Sequence, residues 1–538
     1  MNRKNLTSAV LAGLAGVAGI AASAQAVNIN PDGLGQVLIY PYYTVNGGNA
    51  TLLSVVNTTA AAKAVKVRFN EGLNTREVLD FNLYLSAYDV WTAALFNDDG
   101  TPTMRTGDSS CTVPYIYGDF GGEQAFLPFA MNDGGGMDIA RAAEGHFEII
   151  EMATLVGASA EAATHTGVIP RPDDCDALVD AWTYGANPAN DGYWLVNPLT
   201  DTEAPSGGLF GGAAIINVEK GTMFSYDARA INGFATAVTA NDVLHAEPGE
   251  SFPNLNSGDV LDATVFLDDG TLAPSAGLTR GVDAVSYVFM HDTIMNEYAT
   301  SVSIAARSEW VVTFPTKHFY VYAPDAGAEP PLAPFTSVWE ADGIVKDPAL
   351  ASKLPCEVVT LDGIWDREER TPTEDPGDPR PPIVSPAPPV IPGNPIVPFE
   401  LCYETSVIRF GAAEDTEGPT PTPTEDGEFV TEIFGSVNWH NIDNVALGFQ
   451  TGWAKLGLDD YPHDQDGNGS IDEDEAALSR DPLGGLEGLP VTGFYAVAFV
   501  NGVLGDGADV LANYGGLFNH KGTRKVTAAS SVAPPPVQ

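Results

Sequence analysis

The chain has 538 residues, with 25 Lys and Arg against 71 Asp and Glu and a formal net charge of −46 at pH 7. A field of that sign repels nucleic acid and anionic membrane surfaces and excludes DNA or RNA as a partner, while it favours solubility and the condensation of cations. Life in salty or calcium-rich water predicts the same acidity, so the charge speaks to habitat as much as to function.

At the N-terminus, Arg3 and Lys4 precede an apolar run from Leu6 to Ala22, and Ala24-Gln25-Ala26 supplies the small residues of a cleavage site. This pattern predicts a signal peptide over 1–26, a mature chain starting at Val27, and export to the periplasm, cell surface or medium. The apolar run is short for a membrane span, and no later stretch approaches transmembrane length. Four cysteines remain: Cys111, Cys175, Cys356 and Cys402. An even count in an exported chain favours disulfides, and sequential pairing, Cys111 with Cys175 and Cys356 with Cys402, closes the shorter loops. Their spacing fits no zinc site.

The mature chain opens as antiparallel sheet. A β-rich run from Gln36 to Val45 meets the turn signal Asn46-Gly47-Gly48, and a second strand follows from Thr51 to Val56. Val65, Val67 and Phe69 alternate with Lys66, Arg68 and Asn70; Leu79, Phe81, Leu83 and Leu85 alternate with Asp80, Asn82, Tyr84 and Ser86. Period-two patterning of this kind predicts strands with one buried face. Further strands are expected at 146–152, 213–218, 260–267, 284–290 and 309–322, the last bent at Pro315. One short helix is expected from Asp176 to Trp182. Asp98-Asp99-Gly100 and Asp268-Asp269-Gly270 read as turns.

Two proline-rich stretches interrupt the C-terminal third. Residues 371–398 hold eleven prolines, and 419–423 reads PTPTP. Such segments cannot supply ladder donors and favour extended, solvated backbone. Cys356 and Cys402 bracket the larger one, so a disulfide there staples the base of a loop, or else the segment links two domains. In the first case the runs 358–361 and 407–410 become neighbours in one sheet.

Between strands expected at 449–456 and 491–500 lies Asp464-Gln-Asp-Gly-Asn-Gly-Ser-Ile-Asp-Glu-Asp-Glu475. It resembles a calcium-binding loop of the EF-hand type. Ca²⁺ takes six to eight oxygen ligands, which a short loop supplies only by wrapping the ion. The resemblance assigns side-chain ligands to Asp464, Asp466 and Asn468, a backbone carbonyl to Ser470, a direct or water-mediated contact to Asp472 and a closing bidentate carboxylate to Glu475. Gly469 falls where the chain turns sharply, and Ile471 is the apolar anchor. Ala476 departs from the pattern, which usually has a bulky apolar residue there. The segment from Glu473 to Arg480 is long enough for two helical turns before Pro482, whereas Trp453 to His463 does not read as an entering helix. No second loop of this type is present, so a structural rather than a signalling calcium ion is expected.

No GxSxG, HExxH, P-loop or GxGxxG motif occurs, and the eight histidines are dispersed. The aromatics Tyr40, Tyr42 and Tyr43, and those of 318–322, suit core packing better than a sugar-binding surface. Passages such as GLGQVLIYPYYTV and GLPVTGFYAVAFVNG are similar to stretches of large exported bacterial surface proteins.

The expected architecture is mainly β, with antiparallel, immunoglobulin-like β-sandwich domains, long loop insertions and few short helices. Its divisions are an N-terminal sandwich over 27–110, a central β-rich region over 111–355, a proline-rich insertion or linker over 356–428, a C-terminal β region over 429–526 and a disordered tail over 527–538. The expected function is a non-enzymatic surface, adhesion or structural protein with calcium as its cofactor and surface polysaccharide or other surface proteins as partners. A calcium-stabilised extracellular hydrolase or carbohydrate-binding protein is the alternative.

Overall fold

The computed structural model describes residues 26–167, 171–236, 243–339, 356–371, 399–412, 422–423, 429–461, 478–503 and 511–527. The expected signal peptide (except Ala26) and the expected tail beyond Thr527 lie outside them. The described chain is mainly β, with antiparallel sheets stacked as sandwiches and short helices between them.

The first sheet runs, in spatial order, Asn28–Ile29, Arg229–Asn232, Val37–Thr44, Glu144–Leu155, Lys63–Glu71, Glu77–Leu85 and Cys111–Val113. The second runs Thr222–Asp227, Leu209–Asn217, Asn49–Asn57, Val90–Asp98, Thr101–Arg105 and Glu123–Ala125. They pack face to face over one core, to which Val67, Phe69 and Phe81 contribute from the first sheet and Val55, Trp91 and Ile215 from the second. The Asn46-Gly47-Gly48 turn does not close a hairpin. It carries the chain from the first sheet to the second, with Gly47 at φ 59° and Gly48 at φ 78°.

The third sheet runs Phe399–Cys402, Cys356–Asp366, Thr451–Gly457, Thr293–Ala299 and Lys521–Thr523; the fourth runs Trp439–Ile442, Thr405–Phe410, Ala306–Thr313, Thr492–Val503 and Leu511–Asn519. Trp439–Ile442 joins its neighbour in parallel. Ile294, Tyr298, Ile364 and Leu456 of the third sheet share a core with Trp310, Val312, Ile408 and Phe410 of the fourth. The opposite face of the fourth sheet is also buried: Val311, Val407 and Phe494 join the core of the first two sheets, where Phe494 stacks on Tyr226 at 5.1 Å.

Both disulfides join the expected partners, Cys111 to Cys175 and Cys356 to Cys402. Cys356 and Cys402 face each other across adjacent strands. The runs 358–361 and 407–410 are not neighbours, since they belong to the third and fourth sheets respectively. The Asp-Asp-Gly turns close hairpins as expected, Asp98 onto Thr101 and Phe266 onto Leu272.

Two predicted strands contain helix. Gly281–Phe289 is an α-helix with all nine residues buried. Its valines mimic a strand, and because it is buried on every side it has no exposed polar face to mark a helix. The Asp283 carboxylate accepts the Arg280 backbone N–H at 3.1 Å and closes its first turn. The run 309–322 divides: its first part lies in the strand Ala306–Thr313, the chain turns at Pro315, and His318–Val321 is a buried helical turn. Tyr40, Tyr42, Tyr43 and Tyr320 are fully buried, and His318 and Phe319 nearly so. They serve packing, not a surface.

A larger departure concerns the first sheet's outer face. Every residue of Lys63–Glu71 and of Glu144–Leu155 is buried, the polar ones included. Charges facing away from the sandwich core pair across strands: Lys66 with Asp80 at 3.0 Å, and Arg68 with Glu77 and Glu148 at 2.7 Å each. The chain around residues 245–249 lies over this face. Glu247 and Ala246 offer their carbonyls to Lys66 and Asn82, and Gly249 donates its N–H to Asp80. Burial of charge is tolerable where each charge keeps a partner and its hydrogen bonds, as here.

Candidate calcium site and its stem

The expected ligands Asp464, Asp466, Asn468, Ser470, Asp472 and Glu475 lie outside the described residues, as do His463 and Ala476. The described chain shows where that segment departs and returns. Thr451–Gly457 is a strand of the third sheet, and after it Asp460–Tyr461 pairs antiparallel with Leu478–Ser479. Tyr461 and Leu478 are direct partners, their Cα atoms about 5 Å apart. The helix expected up to Arg480 is not present at Leu478–Ser479, which is strand. Pairing with Asp460–Tyr461 satisfies backbone groups there that a helix would satisfy within itself.

This short ladder is held from below. Ser479 Oγ donates to Asp460 Oδ1 at 2.6 Å, and the Arg480 N–H donates to the Asp459 carbonyl at 2.9 Å. Lys525 bridges Asp459 at 2.8 Å and Glu487 at 2.7 Å. Beneath them Arg480, almost wholly buried, pairs with the fully buried Glu357. Arg480 also donates to the carbonyls of Leu458 at 3.0 Å and Val358 at 2.6 Å. Glu357 accepts from the N–H and hydroxyl of both Thr336 and Ser337 at 2.7–3.1 Å. Burial pushes the Glu357 carboxyl up, but Arg480, Lys317 and these hydrogen bonds outweigh it and hold the group below its ordinary value. A buried carboxylate so satisfied stays charged and keeps Arg480 in place.

Glu357 follows Cys356 directly, so the base of the proline-rich segment and the stem of the candidate calcium loop share one corner of the third sheet. Sequence reasoning missed Glu357, Arg480 and Lys525. The pairing of residues 123 positions apart has no local signature, although a chain with 25 cations among 71 acids gives each cation a wide choice of partners.

Among the described residues, the single cluster with metal-ligand spacing is Cys356, Glu400 and Cys402. Its two sulfurs are joined as a disulfide, so no thiolate is on offer. Burial pushes Glu77 and Glu309 up to about 7, against the pull of Arg68 on Glu77 and of backbone hydrogen bonds on Glu309. Glu77 binds Arg68, and Glu309 accepts the N–H groups of Ile433 and Phe434 at 2.6 and 3.1 Å. Both are buried and committed to architecture. No protein-family model matches the chain, and no curated protein or solved structure matches it either.

Proposed function

We propose that this chain is an exported, non-enzymatic β protein of a cell surface, in which a calcium ion folds the loop 464–475 and the protein serves adhesion, surface coating or assembly. The observation that carries the reading is the stem: a loop with an acidic or oxygen-bearing residue at every ligand position springs from two paired strands clamped on a buried ion pair. A loop whose ends are already held together gives up less conformational entropy on closing around an ion. Two disulfides are compatible with an oxidising compartment, and no helix among the described residues is long and apolar enough to cross a membrane.

The test is a thermal melt of the mature protein in millimolar calcium and in chelator. Calcium is expected to raise the midpoint, by a stabilisation of about 2.7 kcal/mol when free ion is a hundredfold above Kd. Glu475→Ala is expected to abolish the rise, and Asp472→Ala to leave most of it, because water can replace that ligand. No shift in the wild type, or equal losses in the two variants, overturns the reading.

A further inference from the structure

Trp365 and Trp453 face each other across neighbouring strands of the third sheet, and their rings stack with centroids 4.1 Å apart and planes 13° apart. Ile364, Ala454 and Leu456 point the other way, into the core. The two indoles therefore stand on the sheet's outer face, where Trp453 remains 39% exposed. Gly363 makes this possible, since a Cβ there would collide with the Trp365 ring.

Trp365 covers one face of the Trp453 indole. On the other side, a groove of about 510 Å³ separates Trp453 from Phe518, which is 53% exposed. Met295 and Glu297 lie along it, with Lys521 at its edge. Glu297 is the cross-strand partner of Trp453, and the amide of Asn296 donates to the Phe518 carbonyl at 3.0 Å, which ties the two walls together. Among the described residues, neither the Glu297 carboxylate nor the Lys521 ammonium enters an ion pair or a side-chain hydrogen bond.

We propose that this groove binds a neutral polysaccharide, with pyranose rings seated between Trp453 and Phe518. The flat C–H face of a pyranose matches an aromatic face, and its hydroxyl edge needs both an acceptor and a donor, which Glu297 and Lys521 supply. An apolar peptide would leave both charges without partners as it covered them. A polyanion is opposed by the charge of −46. The site is built where the third sheet meets Leu511–Asn519 of the fourth; it goes beyond the calcium reading, naming what the surface protein would hold.

The experiment titrates the mature chain with cellohexaose, chitohexaose, xylohexaose and mannohexaose, read by calorimetry and tryptophan emission. At least one sugar is expected to saturate the protein, with an emission change. Trp453→Ala and Phe518→Ala should each weaken it at least about tenfold, while Tyr184→Ala, an exposed tyrosine remote from the groove, leaves it unchanged. Should Trp453→Ala fold poorly, Glu297→Gln joins Phe518→Ala as the deciding variant. The proposal is overturned if no neutral hexaose binds at millimolar concentration, or if binding is indifferent to Trp453 and Phe518. It is also overturned if an oligogalacturonate binds instead and is lost with Lys521→Ala alone. Binding that persists in chelator supports the groove even where the calcium site fails.

Discussion

Two strands of this protein carry the same pattern and meet opposite fates. Lys63–Glu71 alternates apolar residues with Lys66 and Arg68; Thr451–Gly457 alternates Ala454 and Leu456 with Trp453 and Lys455. In both, the apolar set packs against a partner sheet. The polar set of the first is buried beneath residues 245–249 with its charges paired, whereas that of the second faces solvent, its Trp453 indole covered by Trp365 on one face and open on the other. Alternation thus reports which face meets the sandwich core and is silent on whether the other face is covered. What distinguishes the two is supply: Lys66 and Arg68 face Asp80, Glu77 and Glu148 on adjoining strands, so a covering segment leaves no charge stranded.

The comparison can be broken most forcefully at Arg68. Replacing it with Met strands Glu77 and Glu148 in a buried face, and a loss of about 3–5 kcal/mol is expected in urea unfolding. A loss under about 1 kcal/mol would mean that water reaches this face and that the two strands are not so different.

A second test uses protons on the same covered face. His245 sits against Trp182 and Trp194, and burial lowers its pKa from 6.5 to about 4, against a hydrogen bond to the Pro198 carbonyl that raises it. Below pH 6.5 the unfolded chain takes up a proton that the folded chain refuses. Its contribution is therefore whole above pH 6.5 and lost as pH falls toward 4. Glu309 acts in the opposite sense: with its folded pKa near 7, it lowers stability as pH rises from 4.5 to that value. His245→Gln is expected to flatten the acid limb of stability between pH 6.5 and 4, and His245 is not the titrating group if urea midpoints of variant and wild type fall in parallel.

The smallest effect belongs to the open face. Lys455 lies 3.5 Å from Asp362 with both side chains about a third exposed. Lys455→Ala should change stability by no more than about 0.5 kcal/mol, measured beside Arg68→Met in the same denaturant series. A comparable loss from both variants would erase the distinction.

Much of the β framework was legible from residue order alone, because a strand's side-chain period is a local property. The hairpins at Asp98 and Asp268 and the strand through Glu144–Leu155 were readable in that way. The candidate calcium loop stands out as a motif because all its expected ligands come from one short segment, which lies outside the described residues. Trp453 had a signal that went unused: it shares its strand face with Lys455, opposite Ala454 and Leu456. The stem was not legible, for Glu357 and Arg480 meet only once the third sheet has formed.

By itself, then, the sequence determined the mainly β class, the disulfide partners, the acidic field and the candidate ligands, all of which follow from composition or short-range spacing. Tertiary structure alone decided that Gly281–Phe289 is helix, that the charged face of the first sheet is interior, and that an indole pair stands beside a groove at Phe518. Each of those depends on what lies across from a residue, and burial and pairing are relations between distant segments that no local period encodes.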